Sequence, residues 1–327
     1  MLNVGVIGVG MMGQNHARVY SGIANLIGIA DSDENAVVEI SKRLKVKGYL
    51  DFHDLLKSKD LDAVTVSTPT STHFEVASAA IEAGKHVLIE KPMCGELDNA
   101  RKLVESAKRK GVVLAVGYIE RHNPVVGFAR SLLEKNQFGD VISISSRRVS
   151  SFPSRIRDVG VILDLGIHDI DVIRYLMGTN TKSVYALAGN SGGSEFEDHA
   201  NILLEFENGI FAFIEVNWLT PMKVRKVALT CSKNFVEMDY INQFLQISSS
   251  TMKKIDTGNL YRIPQEYEGR KIELERTEPL KNELTDFLNA IENGEPPLIP
   301  GEEGVRTLEI AHAAMLSVAD GRKVEVR

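Results

Sequence analysis

Hydrophobic and polar positions follow two rhythms along the chain. From Asn3 to Tyr118, short apolar runs rich in β-branched residues (NVGVIGVG, NLIGIAD, DAVTVST, KHVLIE and VVLAVGY) are separated by amphipathic segments of helical length. SDENAVVEISKRL and STHFEVASAAIEAG are the clearest of these segments. A third runs from Leu97 to Gly111 and ends on glycine, as helix C-termini often do. Strands that alternate with helices need right-handed crossovers, so this part is expected to build a parallel α/β sheet. After Tyr118 the rhythm changes. A helix near Val125–Lys135 precedes the strand pattern VISISSRRVS. HANILLEF and IFAFIEVNW then flank a hairpin turn at Asn208-Gly209. VRKVALTC, FVEMDYI and FLQISSS continue with period two, and two helices, around Pro279–Asn293 and Glu302–Ala319, close the chain.

One segment breaks the rule that apolar runs stay apolar. ILDLGIHDID and the following VIRYLMG read as a buried helix, yet they hold Asp164, His168, Asp169 and Asp171. At about 100° per residue, Asp164, His168, Asp171 and Tyr175 fall on one stripe and Asp169 points elsewhere. An unpaired carboxylate in a core costs several kcal/mol, so the stripe is expected to face solvent, a partner or a pocket. A base with an orienting carboxylate and a satisfied polar pair both fit that spacing.

GVGMMG, residues 8–13, matches G-x-G-x-x-G in the context that gives the motif meaning, between the strand NVGVI and the helix GQNHARVY. Gly8 permits the tight turn, Gly10 lets backbone approach a pyrophosphate, and Gly13 lets helix and strand pack closely. Met11 and Met12 complete the turn at the helix N-terminus, where free N–H groups meet phosphate. Asp31 ends the second strand, where an acid binds ribose hydroxyls and disfavours a 2′-phosphate. No arginine follows in NLIGIADSDEN, so NAD is expected rather than NADP. Residues 1–120 are therefore expected to form a Rossmann NAD-binding domain. Residues 121–327 should form an α+β domain with a mostly antiparallel sheet. The C-terminal helices are free to pack back on the first domain.

Composition narrows the function. The chain has 327 residues, 43% hydrophobic and 25% charged, as a soluble globular protein of two domains would. A net charge of −6 argues against a nucleic-acid partner. No run approaches the ~20 apolar residues that span a bilayer, so no membrane partner is expected. Met1-Leu2-Asn3 leads straight into a strand pattern, leaving no room for a signal peptide, and a cytoplasmic protein is expected. Cys94 and Cys231 have neither disulfide nor metal-ligand spacing. Asp164, His168 and Asp171 offer ligand atoms on one helix face, but no convincing further ligand accompanies them, so no metal is expected.

GVGMMGQNHA, STPTSTHFEVASAAIEAGKHVLIEKP and GVILDLGIHDIDVIRYLMG together resemble the Gfo/Idh/MocA oxidoreductase family, named for glucose-fructose oxidoreductase and inositol dehydrogenase. The resemblance covers nearly the whole chain, and the E-K-P and D-x-x-x-H elements are its specific marks. It implies catalytic roles for Lys91, Asp164 and His168. Lys91 would stand beside the nicotinamide and the substrate hydroxyl, and the helical stripe would face the cofactor across a domain cleft. It also implies cofactor contacts at Thr68, Pro69, His73 and Glu90. Tyr118, Arg121 and Asn123 in GYIERHNP are candidates for lining the cleft, or equally for a hinge held by polar contacts. Where many relatives have two glycines before the aspartate, DVGVILD has only Gly160.

Arg147, Arg148, Arg155 and Arg157 lie within SSRRVSSFPSRIRDVG, with Lys223 and Arg225 further on. Guanidinium forks suit phosphate and carboxylate, although a solvated basic loop carries the same charges. Among these, Arg148, Arg155 and Arg157 are the substrate-binding candidates. The wording of this region is similar to that of UDP-N-acetylglucosamine 3-dehydrogenases, which implies a sugar or nucleotide-sugar substrate. The family resemblance implies that residues 121–327 present an open sheet for substrate binding and oligomerisation, as a homodimer or homotetramer. A dehydrogenase of a free polyol such as inositol, or a non-catalytic regulator that binds NAD, stands as the alternative.

Overall fold

The computed structural model describes residues 1–152, 159–193, 195–250 and 267–326; Arg155 and Arg157 lie outside them. The chain divides into two compact units. One holds Met1–His122 and Glu278–Ile310. The other starts at Asn123 and holds Gly160–Thr277 and Ala311–Arg327.

The first unit is built on a parallel sheet of β1 (Asn3–Ile7), β2 (Asn25–Ala30), β3 (Lys47–Tyr49), β4 (Ala63–Val66), β5 (His86–Glu90) and β6 (Leu114–Gly117). Its order is β3-β2-β1-β4-β5-β6, the doubly wound arrangement of dinucleotide-binding sheets. Five of these strands are the apolar runs read from the sequence. Helices cover both faces, so Val64, Val66, Val87 and Ile89 are all buried, and such strands read as continuous apolar runs. β3 has only three residues and is too short for a period to show.

The helices of this unit are α1 (Met11–Ile23), α2 (Glu34–Leu44), α3 (Phe52–Leu56), α4 (His73–Glu82) and α5 (Leu97–Lys110). α2 starts on an Asp33 cap, and α5 stops at Gly111, whose φ of 67° suits glycine. Strand order reverses between β1 and β4. The carboxyl ends of those two strands mark the position where such sheets bind ligands.

In the second unit, α6 (Pro124–Glu134), β7 (Val141–Ser151), a π-helical turn over Ile162–Gly166 and α7 (Ile167–Met177) lead into a series of strands. These are β8 (Thr181–Gly189), β9 (His199–Phe206), β10 (Phe211–Asn217), β11 (Leu219–Cys231), β12 (Phe235–Asp239), β13 (Phe244–Ser250), β14 (Tyr267–Glu273) and the terminal β15 (Val324–Glu325). The sheet runs β14-β13-β12-β11-β7-β10-β9-β8-β15. Among the described residues only β7 and β10 pair in parallel in this sheet, so it is mixed and mostly antiparallel. The hairpin forms at the expected place, with Gly209 at φ 83°. Strand alternation sends Ile144, Ser146 and Arg148 to the buried face and Ser145 and Arg147 to the opposite one.

Two helices follow, α8 (Pro279–Asn293) and α9 (Gly301–Asp320). Leu280, Leu284, Phe287 and Leu288 of α8 join the core of the first unit with Tyr20, Ile29 and Leu88. Among the described residues, no helix is long and apolar enough to cross a membrane. Both cysteines are buried, and burial pushes the Cys94 thiol up to about 12 and the Cys231 thiol to about 11.

Candidate active site

Three glycines make three different demands on the turn after β1. Gly8 sits at φ 86°, and a Cβ there would lie 2.7 Å from the Ser67 and Thr68 backbone, so side chain and dihedral are both excluded. A Cβ on Gly13 would meet the Gly8 carbonyl oxygen at 1.8 Å, which lets α1 pack hard against the turn. At Gly10 a Cβ would meet nothing within 4 Å, so the space beside it is open. Gly10 caps α1 with no side-chain hydrogen bond, and no acid occupies the first turn. The N–H groups at Met11 and Met12 therefore stand at a helix end left for an anion.

Asp31 closes the other side. One carboxylate oxygen accepts the Val9 N–H at 2.7 Å and the other accepts the Asp33 N–H at 3.0 Å. Each oxygen keeps a second lone pair for a ribose hydroxyl. An open Gly10, a bare helix end and an acid after β2 fit a dinucleotide.

The β4 and β5 ends adjoin this turn. The Ser67 hydroxyl donates to the Gly8 carbonyl at 2.8 Å. Thr68 is half-buried and Pro69 exposed. His73, a candidate cofactor contact in the sequence, has its ring bonded to backbone. It is buried, with Nε2 at 2.9 Å from the Thr68 carbonyl and Nδ1 at 2.9 Å from the Pro92 carbonyl. Both ring nitrogens are spent on backbone, so His73 fixes the two turns relative to each other. Glu90, another such candidate, likewise bonds within the unit. It is buried and turned inward, with Oε1 2.8 Å from His16 Nε2 and Oε2 accepting the Lys91 N–H at 3.1 Å. Lys91, half-buried, follows directly at the carboxyl end of β5. The sequence pattern gave His16 no role, although a histidine on the helix face that buries Gly13, Ala17 and Tyr20 is a signal of a buried partner.

In the second unit the stripe differs from its expectation. Asp164 lies in the π-helical turn, which is wider than an α-turn, so a regular 100° stripe starts only at Ile167. Asp164 and Asp171 are buried rather than outward-facing, and each has a polar or electrostatic partner. His168 and Tyr175 keep partial exposure. Asp169 does point elsewhere, into the sheet. Its carboxylate accepts from Arg148 Nε at 2.5 Å and from the Ser146 hydroxyl at 2.6 Å. Glu197 caps the entry to the π turn by accepting the Ile162 N–H at 3.1 Å. A Cβ on Gly160 would stand about 2 Å from that carboxylate.

Other candidates prove to be internal. Arg148 is 1% exposed, paired with Asp169, and sits 5.6 Å from the Tyr240 ring centroid, so its charge is used inside the unit. Arg147 leaves from the opposite face and pairs with Glu215 at 3.0 Å. Strand alternation thus divides the arginine cluster, and its two other members lie outside the described residues. Tyr118 is fully buried. Arg121 is buried against Glu303 at 2.9 Å. Asn123 caps α6 and donates to the Tyr240 carbonyl at 3.0 Å. Arg121 and Asn123 make polar contacts inside their own units.

Two histidines, His73 buried and His122 half-buried, set an acid limit on stability. Burial, with the Arg121 charge beside it, pushes His122 down to about 4. Burial likewise holds His73 below the usual histidine value, although both carbonyls favour its proton. An unfolded histidine protonates near 6.5, so the unfolded chain binds more protons below that value. The stabilisation is full above about 6.5 and is lost as pH falls through about 4. Thermal melts are expected to show the melting temperature falling across this window; an unchanged value would rule the account out.

The comparisons agree with this geometry. Residues 2–118 match the oxidoreductase family profile described as an NAD-binding Rossmann fold, and residues 130–326 match the profile of the same family's C-terminal alpha/beta domain. UDP-N-acetylglucosamine 3-dehydrogenase of Acidithiobacillus ferrooxidans is 31% identical, over 97% of each chain. A solved structure of that protein superposes with a TM-score of 0.87, at 30% identity and 98% coverage of both chains. Myo-inositol 2-dehydrogenase of Thermotoga maritima is 28% identical over 99% of this chain and 98% of its own. The chain belongs to the Gfo/Idh/MocA family of oxidoreductases and carries that family's NAD-binding Rossmann fold.

Proposed function

We infer that this oxidoreductase is an NAD-dependent dehydrogenase acting on a ring hydroxyl of a nucleotide sugar, with the 3-hydroxyl of UDP-N-acetylglucosamine as its target. The observation that carries the reading is full-length likeness to the Acidithiobacillus enzyme of that name. NAD⁺, when bound, supplies the acceptor for the hydride released from the carbinol carbon. His168 takes the hydroxyl proton on a ring nitrogen as the carbonyl forms, and Asp164 orients the ring. Lys91 donates to the same oxygen. Gly8, Gly10 and Gly13, the N–H groups of Met11 and Met12, and Asp31 hold the dinucleotide. Such a reaction is expected in the cytoplasm, where both reactants are available.

Oxidation of a free polyol is the second reading, favoured by the burial of Arg148, the outward path of Arg147 and the inositol dehydrogenase relative. Absorbance at 340 nm separates the two, with protein and NAD⁺ mixed with UDP-N-acetylglucosamine, myo-inositol or glucose. A rise only with the nucleotide sugar supports the first reading, and a rise with a polyol replaces it. No turnover of any sugar in either direction, with NADH still bound, would leave a non-catalytic NAD-binding regulator.

Asp31→Ala tests the cofactor assignment. Losing a charge-assisted hydrogen bond, about 1.5–3 kcal/mol, should weaken NAD⁺ binding about tenfold or more. NADP⁺ should lose far less, and equal losses for the two cofactors would refute a ribose contact.

A homodimer or homotetramer fits the exposed sheet face. Tyr185, Leu203 and Phe213 stand opposite one another on adjacent strands, with Leu187 and Phe211 beside them, all at least a third exposed. An apolar patch of this kind marks an interaction surface, here proposed to cover a second copy. Phe213→Asp is expected to convert the assembly to monomers in light scattering; unchanged mass would exclude this face.

A further inference from the structure

A buried polar cluster that the proposed reaction leaves unused adjoins Lys91. His16 of α1, Glu90 of β5 and Glu283 of α8 bring one ligand-type atom each to within 4.8 Å of one another, and all three are buried. Glu283 is 2% exposed and neither of its oxygens has a hydrogen-bond partner; His16 Nδ1 also has none. Glu90 is the hub. It receives His16 on one oxygen and the Lys91 backbone N–H on the other.

Two carboxylates this close in an apolar interior cannot both be ionised. Burial, with the Glu90 and Asp286 charges nearby, holds the Glu283 proton well above the usual carboxylate range. His16 and the Lys91 charge outweigh burial at Glu90 and keep it ionised. Tyr20, the other titratable group on α1 near Glu283, is buried and bonded to the Thr65 hydroxyl at 2.9 Å, and stays neutral. The cluster thus has one proton and one negative charge to share between two acids. Glu90 is the carboxylate within reach of the Glu283 proton, directly after a small rotation or through one bridging water.

We propose that His16 and Glu283 are positioning residues for Lys91, acting through Glu90. Glu90 carries the cluster's single negative charge and fixes the Lys91 backbone. His16 donates to it from the helix whose N-terminus meets the cofactor phosphates, and Glu283, as a neutral acid, braces it from α8. The cofactor helix and the catalytic lysine are thereby tied through one carboxylate. This inference rests on the catalytic role proposed for Lys91.

The test compares Lys91→Ala, Glu90→Gln, His16→Leu, His16→Gln, Glu283→Leu and Glu283→Gln in the full-length protein, reading kcat, KM, NADH affinity by fluorescence, and melting temperature. Misplacing a reacting group by about 1 Å costs up to about 10²-fold, so Glu90→Gln and His16→Leu are expected to lower kcat by about tenfold or more. KM and NADH affinity should change little. His16→Gln keeps a donor and Glu283→Gln keeps a neutral polar head, so each should restore most of what its leucine counterpart loses. Loss of kcat that merely follows the melting temperature, or that Gln does not rescue, would overturn the proposal. So would a stoichiometric divalent metal in the purified protein, since a metal needs Glu283 ionised. If Lys91→Ala abolishes turnover while the cluster variants stay active, only the positioning role fails. If Lys91→Ala stays active, the reading of Lys91 fails and takes the cluster's role with it.

Discussion

His168→Ala is expected to lower turnover on the preferred sugar by about 10²–10⁴-fold, the usual contribution of a positioned base. NADH affinity should stay within about threefold of the parent protein, because the proposed cofactor contacts at the glycine turn, Asp31 and Lys91 belong to other elements. His168 suits the role structurally. It is the partly exposed member of a group whose carboxylates are buried, and a proton acceptor needs access where an orienting acid does not. Asp164→Asn should give a smaller loss in kcat, since the base would survive with its orientation weakened. The measurement is steady-state turnover alongside fluorescence titration with NADH. Near-parental turnover in His168→Ala would move the base elsewhere, with Lys91 the next residue to test.

The parts of the molecule that were legible in the sequence are those set by local demands. Strands covered on both faces must be apolar throughout, so β1, β2, β4, β5 and β6 stood out as runs. Gly8 and Gly13 answer separate steric demands, and both were readable from their places in the motif. The hairpin at Asn208-Gly209 follows from turn chemistry alone. What escaped depends on contacts distant in sequence. His16 meets Glu90 across 74 positions, so nothing beside either residue hints at the other. Arg148 finds Asp169 21 positions away, and that pairing turns an apparent anion site into an internal ion pair. The division of Arg147 from Arg148 was in principle readable, since VISISSRRVS alternates with period two and adjacent arginines on a strand face opposite ways. The π turn was not, because the periodicity of ILDLGIHDID assumes one helix type throughout.

Asp169→Ala is expected to produce the largest loss of stability in the second unit. It removes the carboxylate from a guanidinium that is 1% exposed and leaves the Ser146 hydroxyl only its long bond, 3.5 Å, to the Lys226 carbonyl. Breaking a buried pair by deleting one partner costs about 3–5 kcal/mol, because the surviving charge stays desolvated. For a unit of this size that corresponds to a fall in melting temperature of roughly 10 °C. The pair also bears on the proposed base, since Asp169 neighbours His168 and fastens α7 to β7. Replacing both partners, as Arg148→Met with Asp169→Leu, removes the stranded charge and should recover most of the stability, as apolar substitution of buried pairs often does. Turnover should recover less, because apolar packing does not fix the rotation of α7 as two directed hydrogen bonds to one carboxylate do. Calorimetry and kcat on the single and double variants decide the matter. Full recovery of both together would mean that the pair only fills space, whereas stability without turnover would mean that it sets the angle at which His168 is presented.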